Sequence, residues 1–205
     1  MAKETAHQIG TPLSSLIGWL EILKLDNVEE STIVEIEKDI TRLQTITDRF
    51  SKIGSEPVLE KRDIIEDTKN TVDYLQTRVS QQVNFYFKAP QHPVFVEINP
   101  ALHSWTIENL VKNAIDAMKG KGSLNIVISE LEDMVKISIT DTGKGIPKNQ
   151  FSKVFEPGFT TKKRGWGLGL SLTKRIVQEY HKGKIKVAHS EIGKGTTMQI
   201  SYKTT

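Results

Sequence analysis

The run from Asp141 to Leu170 constrains this chain more than any other stretch. It opens where an apolar segment ends in Asp141-Thr142-Gly143-Lys144-Gly145-Ile146-Pro147, and it closes with Gly165-Trp166-Gly167-Leu168-Gly169-Leu170. Between them Phe155 and Phe159 lead into the basic triplet Lys162-Lys163-Arg164. A strand that delivers one carboxylate into a glycine turn can set it against a donor-bearing ligand, because glycine lets the backbone approach closely. A second glycine cluster ahead of an apolar helical run suits phosphate, since free N–H groups and a helix N-terminus both favour anions. The pair reads as a nucleoside site at one end and a polyphosphate site at the other. Neither cluster has the Walker Lys-Ser/Thr ending or the dinucleotide fingerprint. Either alone is compatible with an ordinary turn, so the reading rests on their order and on a third element upstream.

The rest of the composition removes competing classes. With 205 residues, the chain holds one domain of ordinary size and a smaller element. Its 28 basic and 25 acidic residues are interspersed and net only +3, which argues against a nucleic-acid binder held by a basic field. No aromatic-interleaved basic platform is present either. Lys119/Lys121 and Lys182/Lys184/Lys186 read as solvated faces. The absence of cysteine excludes disulfides, thiolate nucleophiles and cysteine-based zinc sites. No apolar run reaches membrane-spanning length and no signal peptide is recognisable. The expectation is a soluble, cytoplasmic piece without direct membrane contact. Because a helix is under way within a few residues of Met1, it reads as cut from something longer.

Apolar periodicity sets the layout. Ile9, Leu13, Leu16, Ile17, Leu20 and Leu23 recur at helical spacing, with a bend expected at Pro12. After a short polar link, Ile33, Ile36, Ile40, Leu43, Ile46, Phe50 and Ile53 form a second stripe. Two amphipathic helices joined so tightly lie antiparallel, and one hairpin cannot cover both stripes. Pairing with a second copy into a four-helix bundle is the economical burial, so a homodimer through these helices is expected. Gly54-Ser55-Glu56-Pro57 breaks the pattern, giving a hairpin over 1–54, a linker over 55–60 and a second domain over 61–205. There we expect helices from Arg62 to about Ser80, from Pro100 to Met118 and from about Leu168 to Tyr180. Strands are expected at Val83–Phe87, Val94–Ile98, Leu124–Ser129, Val135–Thr140, Ile185–Ala188 and Thr196–Tyr202. The fold class is α+β: a helical hairpin followed by a two-layer α/β sandwich.

The third element is the helix carrying Asn109 and Asn113, four apart and so on one face. A neutral amide oxygen can coordinate Mg²⁺ that phosphates also hold, although surface amides would look the same. The order Asn109/Asn113, Asp141-x-Gly-x-Gly, Gly165-x-Gly-x-Gly and Gly193-x-Gly-Thr resembles the ATP-binding domain shared by sensor histidine kinases, DNA gyrase, Hsp90 and MutL. Asn109-Leu110-Val111-Lys112-Asn113-Ala114-Ile115-Asp116-Ala117 is similar to the histidine kinase form of the first motif, and Phe151 to Phe159 to its phenylalanine box. The resemblance covers nearly all of Arg62 to Lys203 and implies ATP and Mg²⁺. It implies Asn113 as metal ligand with Asn109 beside it, and Asp141 and Gly143 at the adenine amino group. Gly145 would admit the base, and Thr197 would support it through water. Gly165, Gly167, Leu168 and Gly169 would line the phosphates, with Lys162, Lys163 and Arg164 as candidates for the γ-phosphate. Ile115, Met118, Ile146 and Leu170 would wall the adenine. Phe155 to Gly167 would be a mobile lid, packed to the neighbouring domain by Phe155 or Phe159.

The fold family does not fix the chemistry; the hairpin discriminates. His7-Gln8-Ile9-Gly10-Thr11-Pro12-Leu13 resembles the phosphoacceptor box of histidine kinases. A neutral imidazole nitrogen is nucleophilic near neutral pH and can pass a phosphoryl group on. The resemblance implies transfer of the γ-phosphoryl group to His7 and then to an aspartate of a response-regulator receiver domain. Ser14, Ser15, Gly18 and Glu21 are candidate contacts for that domain. His92, His103, His181 and His189 have no comparable setting and read as structural or exposed. One position departs from the family, which places Glu or Asp after the acceptor where this chain has Gln8. An amide can hold a tautomer but cannot act as a base. Slower transfer, a base from elsewhere and a position substituted to weaken catalysis all fit. Thr11 matches the position that orients a phosphatase water in relatives, but Gln8 makes phosphotransfer the stronger expectation. The alternatives are a catalytically weak regulatory scaffold and an ATPase that drives conformational change.

Overall fold

The computed structural model describes residues 15–25, 28–34, 36–37, 40, 57–162 and 167–205. The candidate acceptor box with His7, Gln8 and Thr11 lies outside the described residues, as do Lys163, Arg164 and Gly165. The chain divides into two compact units, Met1–Pro57 and Val58–Thr205.

In the first unit, residues 15–25 are helical, as are 30–34, 36–37 and 40. Leu20 and Ile40 are buried, with Ile17, Ile33 and Ile36 packed against them. The Lys24 ammonium donates to Glu21 at 2.8 Å and to Glu37 at 2.7 Å. Residue 20 thus shares a cluster with 40 while 24 meets 37, the sense expected of an antiparallel pair. The same helix exposes Leu16, Trp19 and Ile22.

The second unit begins with a short strand, β1 (Glu60–Asp63), at the point where the spacing predicted the start of a helix. Asp63 ends the strand and caps the next element, accepting from the Ile65 N–H at 3.0 Å and the Val94 N–H at 3.2 Å. Helix α1 (Ile64–Gln76) follows, burying Ile64, Thr68, Thr71, Val72 and Leu75 along one face. Strands β2 (Val83–Lys88) and β3 (Phe95–Ile98) come next. They belong to different sheets, since β3 pairs antiparallel with β1. Asn99 caps α2 (Pro100–Ala117) by accepting from the Leu102 N–H, and Pro100 occupies the tolerant first turn.

The main sheet contains β4 (Gly122–Leu131), β5 (Met134–Asp141), β6 (Lys184–Glu191) and β7 (Gly195–Lys203), in the order β2-β4-β5-β7-β6. Among the described residues only the β2–β4 pair is parallel. Alternation puts Leu124, Ile126 and Ile128 of β4, and Val135, Ile137 and Ile139 of β5, against the helices. The expected third helix divides in two. An α-helical part, α3 (Gly169–Arg175), continues as a π turn over Ile176–Tyr180. The π turn brings His181 to accept from the Asn99 N–H at 3.1 Å, joining the end of α3 to the start of α2. His103 and His181 stand edge-on to Tyr202, with centroids 6.0 and 5.8 Å away. Both are buried, and burial lowers their pKa to about 3 for His103 and about 4 for His181. The result is an α+β sandwich with helices on one face of a mixed sheet.

Candidate functional site

Strand β5 delivers Asp141 by simple alternation. Val135, Ile137 and Ile139 point to the core, and the next inward position is Asp141, 5% exposed. Its carboxylate accepts the Gly143 N–H at 2.7 Å. Burial raises its pKa above the usual value, while the backbone N–H groups of Gly143 and Thr196 pull it back. The loop beyond lies between the end of α2 and the β6–β7 turn. The Lys144 N–H donates to the Ala117 carbonyl at 3.1 Å, and the Gly193 N–H donates to the Lys144 carbonyl at 2.9 Å. Gly145 sits at φ +74°, where a Cβ would run into the Glu191 carbonyl. Glycine is the residue that fits there. Met118 is buried, and Ile115, Ile146 and Leu170 are half-buried against the core, so the four expected walls all belong to its margin.

Helix α2 presents the two amides. Asn109 donates from Nδ2 to Thr173 Oγ1 at 2.8 Å, and its Oδ1 lies so near Gly169 that a Cβ there would come to 2.6 Å. Asn109 therefore joins α2 to the start of α3. Asn113 Oδ1 accepts from the Lys162 ammonium at 2.8 Å, and Asp116 Oδ2 accepts from the same ammonium at 2.5 Å. Asp116 was not among the expected site residues. Its signal is legible, because a carboxylate three positions after Asn113 shares that helix face. Lys144 donates to Thr161 Oγ1 at 2.8 Å, a second tie on the segment before Lys162. Where the segment returns, the Gly158 N–H donates to the Gly167 carbonyl at 3.1 Å, so the two glycine backbones close a neck.

Thr197 lies on the outer face of the sheet, paired with Thr140 through a 3.0 Å hydroxyl contact. The threonine beside Asp141 is Thr196, buried and directly across the β5–β7 ladder. Phe155 is 7% exposed within the sandwich's own core, and Phe159 packs against that same core. A separate open groove lined by Gln76, Ser80, Asn84 and Tyr86 shares no residue with the Asp141, Asn113 or glycine-neck positions.

The sandwich thus sets a buried carboxylate at a glycine turn and, one helix away, an ammonium between an amide and a carboxylate. Residues 102–205, half of the chain, match the family described as Histidine kinase-, DNA gyrase B-, and HSP90-like ATPase. Sporulation kinase E of Bacillus subtilis (strain 168) is 31% identical over 98% of this chain and 28% of its own length. The sensor histidine kinase ZraS of Escherichia coli (strain K12) is also 31% identical, over 98% of this chain and 44% of its own. Among solved structures, histidine kinase ThkA in complex with the response regulator protein TrrA superposes with a TM-score of 0.70 at 25% identity. That match covers 98% of this chain and 60% of the ThkA chain. The chain belongs to this family, as an ATP-binding histidine-kinase catalytic domain related to the sporulation and sensor kinases. It spans less than half the length of those two curated relatives.

Proposed function

We propose that the chain is the catalytic core of a sensor histidine kinase, transferring the γ-phosphoryl group of ATP to His7 and then to an aspartate of a receiver domain. The observation that carries this reading is the Lys162 ammonium bound between Asn113 Oδ1 and Asp116 Oδ2. Asn113 Oδ1 already accepts from a cation, so this amide oxygen fits a place beside Mg²⁺ that phosphate oxygens also hold. Asp141 fits the base end, being an acceptor shielded from water beside a turn that only glycine can make. Bound Mg·ATP would supply the phosphoryl group and the charge that neutralises it.

This chain's own residues then have distinct tasks. Asp141 accepts from the adenine amino group. The backbone N–H groups of Gly143 and Thr196 favour its ionised form against the cost of burial, and Gly145 leaves room for the ring between Ile115, Met118, Ile146 and Leu170. Asn113 would hold the metal, with Asn109 fixing the start of α3 behind it. Lys162 leaves its resting partners to meet phosphate charge, with Lys163 and Arg164 as further candidates. Gly165, Gly167, Leu168 and Gly169 supply the backbone at the phosphate end. A His7 ring nitrogen attacks the γ-phosphorus, so an N–P bond forms and the P–O bond to ADP breaks. The ring must then shed its N–H proton. Gln8 can accept that N–H and fix the tautomer, but another base must take the proton.

Exposed Leu16, Trp19 and Ile22 support a homodimer through the N-terminal helices. The ThkA–TrrA complex supports a receiver-domain partner. Ser15, Gly18 and Glu21 are exposed on the same helix, whereas Ser14 lies outside the described residues. Gln8 favours one rival, a scaffold that binds nucleotide and receiver but transfers nothing.

Incubation with Mg²⁺ and γ-labelled ATP tests the proposal. Acid-labile, base-stable label on the chain, lost in His7→Gln, is the expected result. ATP binding without label would overturn autokinase activity, and label gained in Gln8→Glu would then establish the scaffold reading.

A further inference from the structure

Strand β6 turns its residues inward by alternation at Ile185 and Val187. Continued unbroken, that alternation would bury His189 and expose Ser190. The opposite is found. Val187 pairs with Met198 and His189 with Thr197, so Ala188 is an extra residue on β6 and the pairing slips by one. As a result Ser190 is 7% exposed, facing Thr196, and His189 points out. A bulge of this kind re-aims one side chain, and here the side chain it re-aims is a hydroxyl at the base end of the site.

The hydroxyl joins three segments. It accepts the Ile146 N–H at 2.7 Å, donates to the Gly195 carbonyl at 2.9 Å and meets Thr196 Oγ1 at 2.8 Å. A serine has one proton to donate and two lone pairs to offer. With Thr196 donating, all three are used. Nothing is left over for a ligand, so Ser190 cannot act by touching one. It instead sets the spacing between Ile146, which ends the Asp141 loop, and Thr196, whose N–H supports the Asp141 carboxylate. The Gly193 N–H fastens the same loop at Lys144, a bond that does not involve Ser190.

We propose that Ser190, turned inward by the Ala188 bulge, is a positioning residue that sets nucleobase discrimination by fixing Ile146 relative to Asp141. The inference rests on the reading of the Asp141 end as the adenine site. Removing the hydroxyl leaves the Ile146 N–H and the Gly195 carbonyl without this partner and Thr196 without its acceptor. The carboxylate and the wall then lose their fixed spacing. An adenine, held by its 6-amino donor, loses more than a guanine, whose 6-oxo group finds no donor at Asp141. The polyphosphate end, fixed by α2 and α3, is untouched.

The test uses the full chain with Mg²⁺ and either ADP or GDP, titrated calorimetrically against wild type, Ser190→Ala and Ser190→Thr. Amide exchange at Ile146 is followed without nucleotide. Ser190→Ala should weaken ADP about tenfold and GDP much less, compressing the ADP/GDP ratio. Its Ile146 N–H should exchange faster, and Ser190→Thr should restore both readouts. An equal loss for ADP and GDP would overturn the proposal, because it would mean a general structural role. Unchanged Ile146 exchange in Ser190→Ala would overturn it alone. A wild type that binds no ADP would instead overturn the nucleotide reading, and this inference with it.

Discussion

At position 141 a carboxylate is held against the cost of burial. Asp141 is 5% exposed and its pKa is raised, chiefly by burial. As pH rises through the ordinary value of 3.8, the unfolded chain ionises first. The penalty to folding grows from there to the raised folded pKa and is complete above it. We therefore expect Asp141→Asn to be as stable as wild type or more so near neutral pH, with the advantage vanishing below about pH 4. The same variant should bind ATP about 10- to 100-fold more weakly, since hydrogen bonds to charged groups contribute about 1.5–3 kcal/mol. Thermal unfolding at two pH values beside an ATP titration checks both. Lost binding with lost stability would make Asp141 a structural group. Asp141, Asn109 and Asn113 were legible in the sequence because glycine spacing and helical periodicity are local signals. Thr197 was named from the motif where Thr196 stands across from Asp141, although alternation back from Tyr202, Ile200 and Met198 leads to Thr196. Ser190 was hidden by the bulge, which breaks the alternation used to infer direction.

At the scale of elements, the start of the segment proposed as a lid is tied down by side chains. Lys162 is bound to Asn113 and Asp116, and Lys144 to Thr161. The partners are partly exposed, with side-chain exposures of 41% for Lys162 and 56% for Asp116, so the ion pair alone is weak. Its effect should be local, on lid opening rather than on global stability. We expect Asp116→Asn and Lys162→Met to speed limited proteolysis between Gly158 and Gly167 severalfold without nucleotide, while the melting temperature stays unchanged. Asp116→Asn should leave ADP affinity within about twofold, a difference under 1 kcal/mol. Cleavage at the wild-type rate in both variants would show that this contact does not hold the lid. Most elements could be read from the sequence, since long apolar alternation marks β4, β5 and β7 and periodicity marks α2. Strand β1 could not: Glu60-Lys61-Arg62-Asp63 has no apolar member, and its pairing with β3 alone makes it a strand. The π turn after α3 also carries no pattern of its own, because an amphipathic run reads as one helix until His181 is seen bonded at the cap of α2.

At the scale of the molecule, the two units should unfold by different laws. The first has a small core of Leu20, Ile40 and their neighbours, and leaves Trp19 62% exposed. If a second copy covers that face, its stability depends on chain concentration by mass action. The second unit has its own sheet, helices and continuous core, so its stability should be independent of concentration. It depends on pH instead, through His103 and His181. Both are held neutral, with folded pKa values of about 3 and about 4, below the 6.5 of the unfolded chain. Above pH 6.5 they cost nothing; as pH falls through that value the unfolded state takes up protons that the folded state refuses. The loss near pH 5 is at most about 2 kcal/mol for each. Scanning calorimetry at two protein concentrations, near pH 7.5 and near pH 5, should resolve one transition that shifts with concentration and another that shifts with acid. Trp19→Glu should remove the concentration dependence and leave the acid shift intact. His181→Gln should reduce the acid shift and leave the concentration dependence intact. A single transition that follows both variables would mean that the units unfold as one cooperative body, and the homodimer would then have to be sought in both.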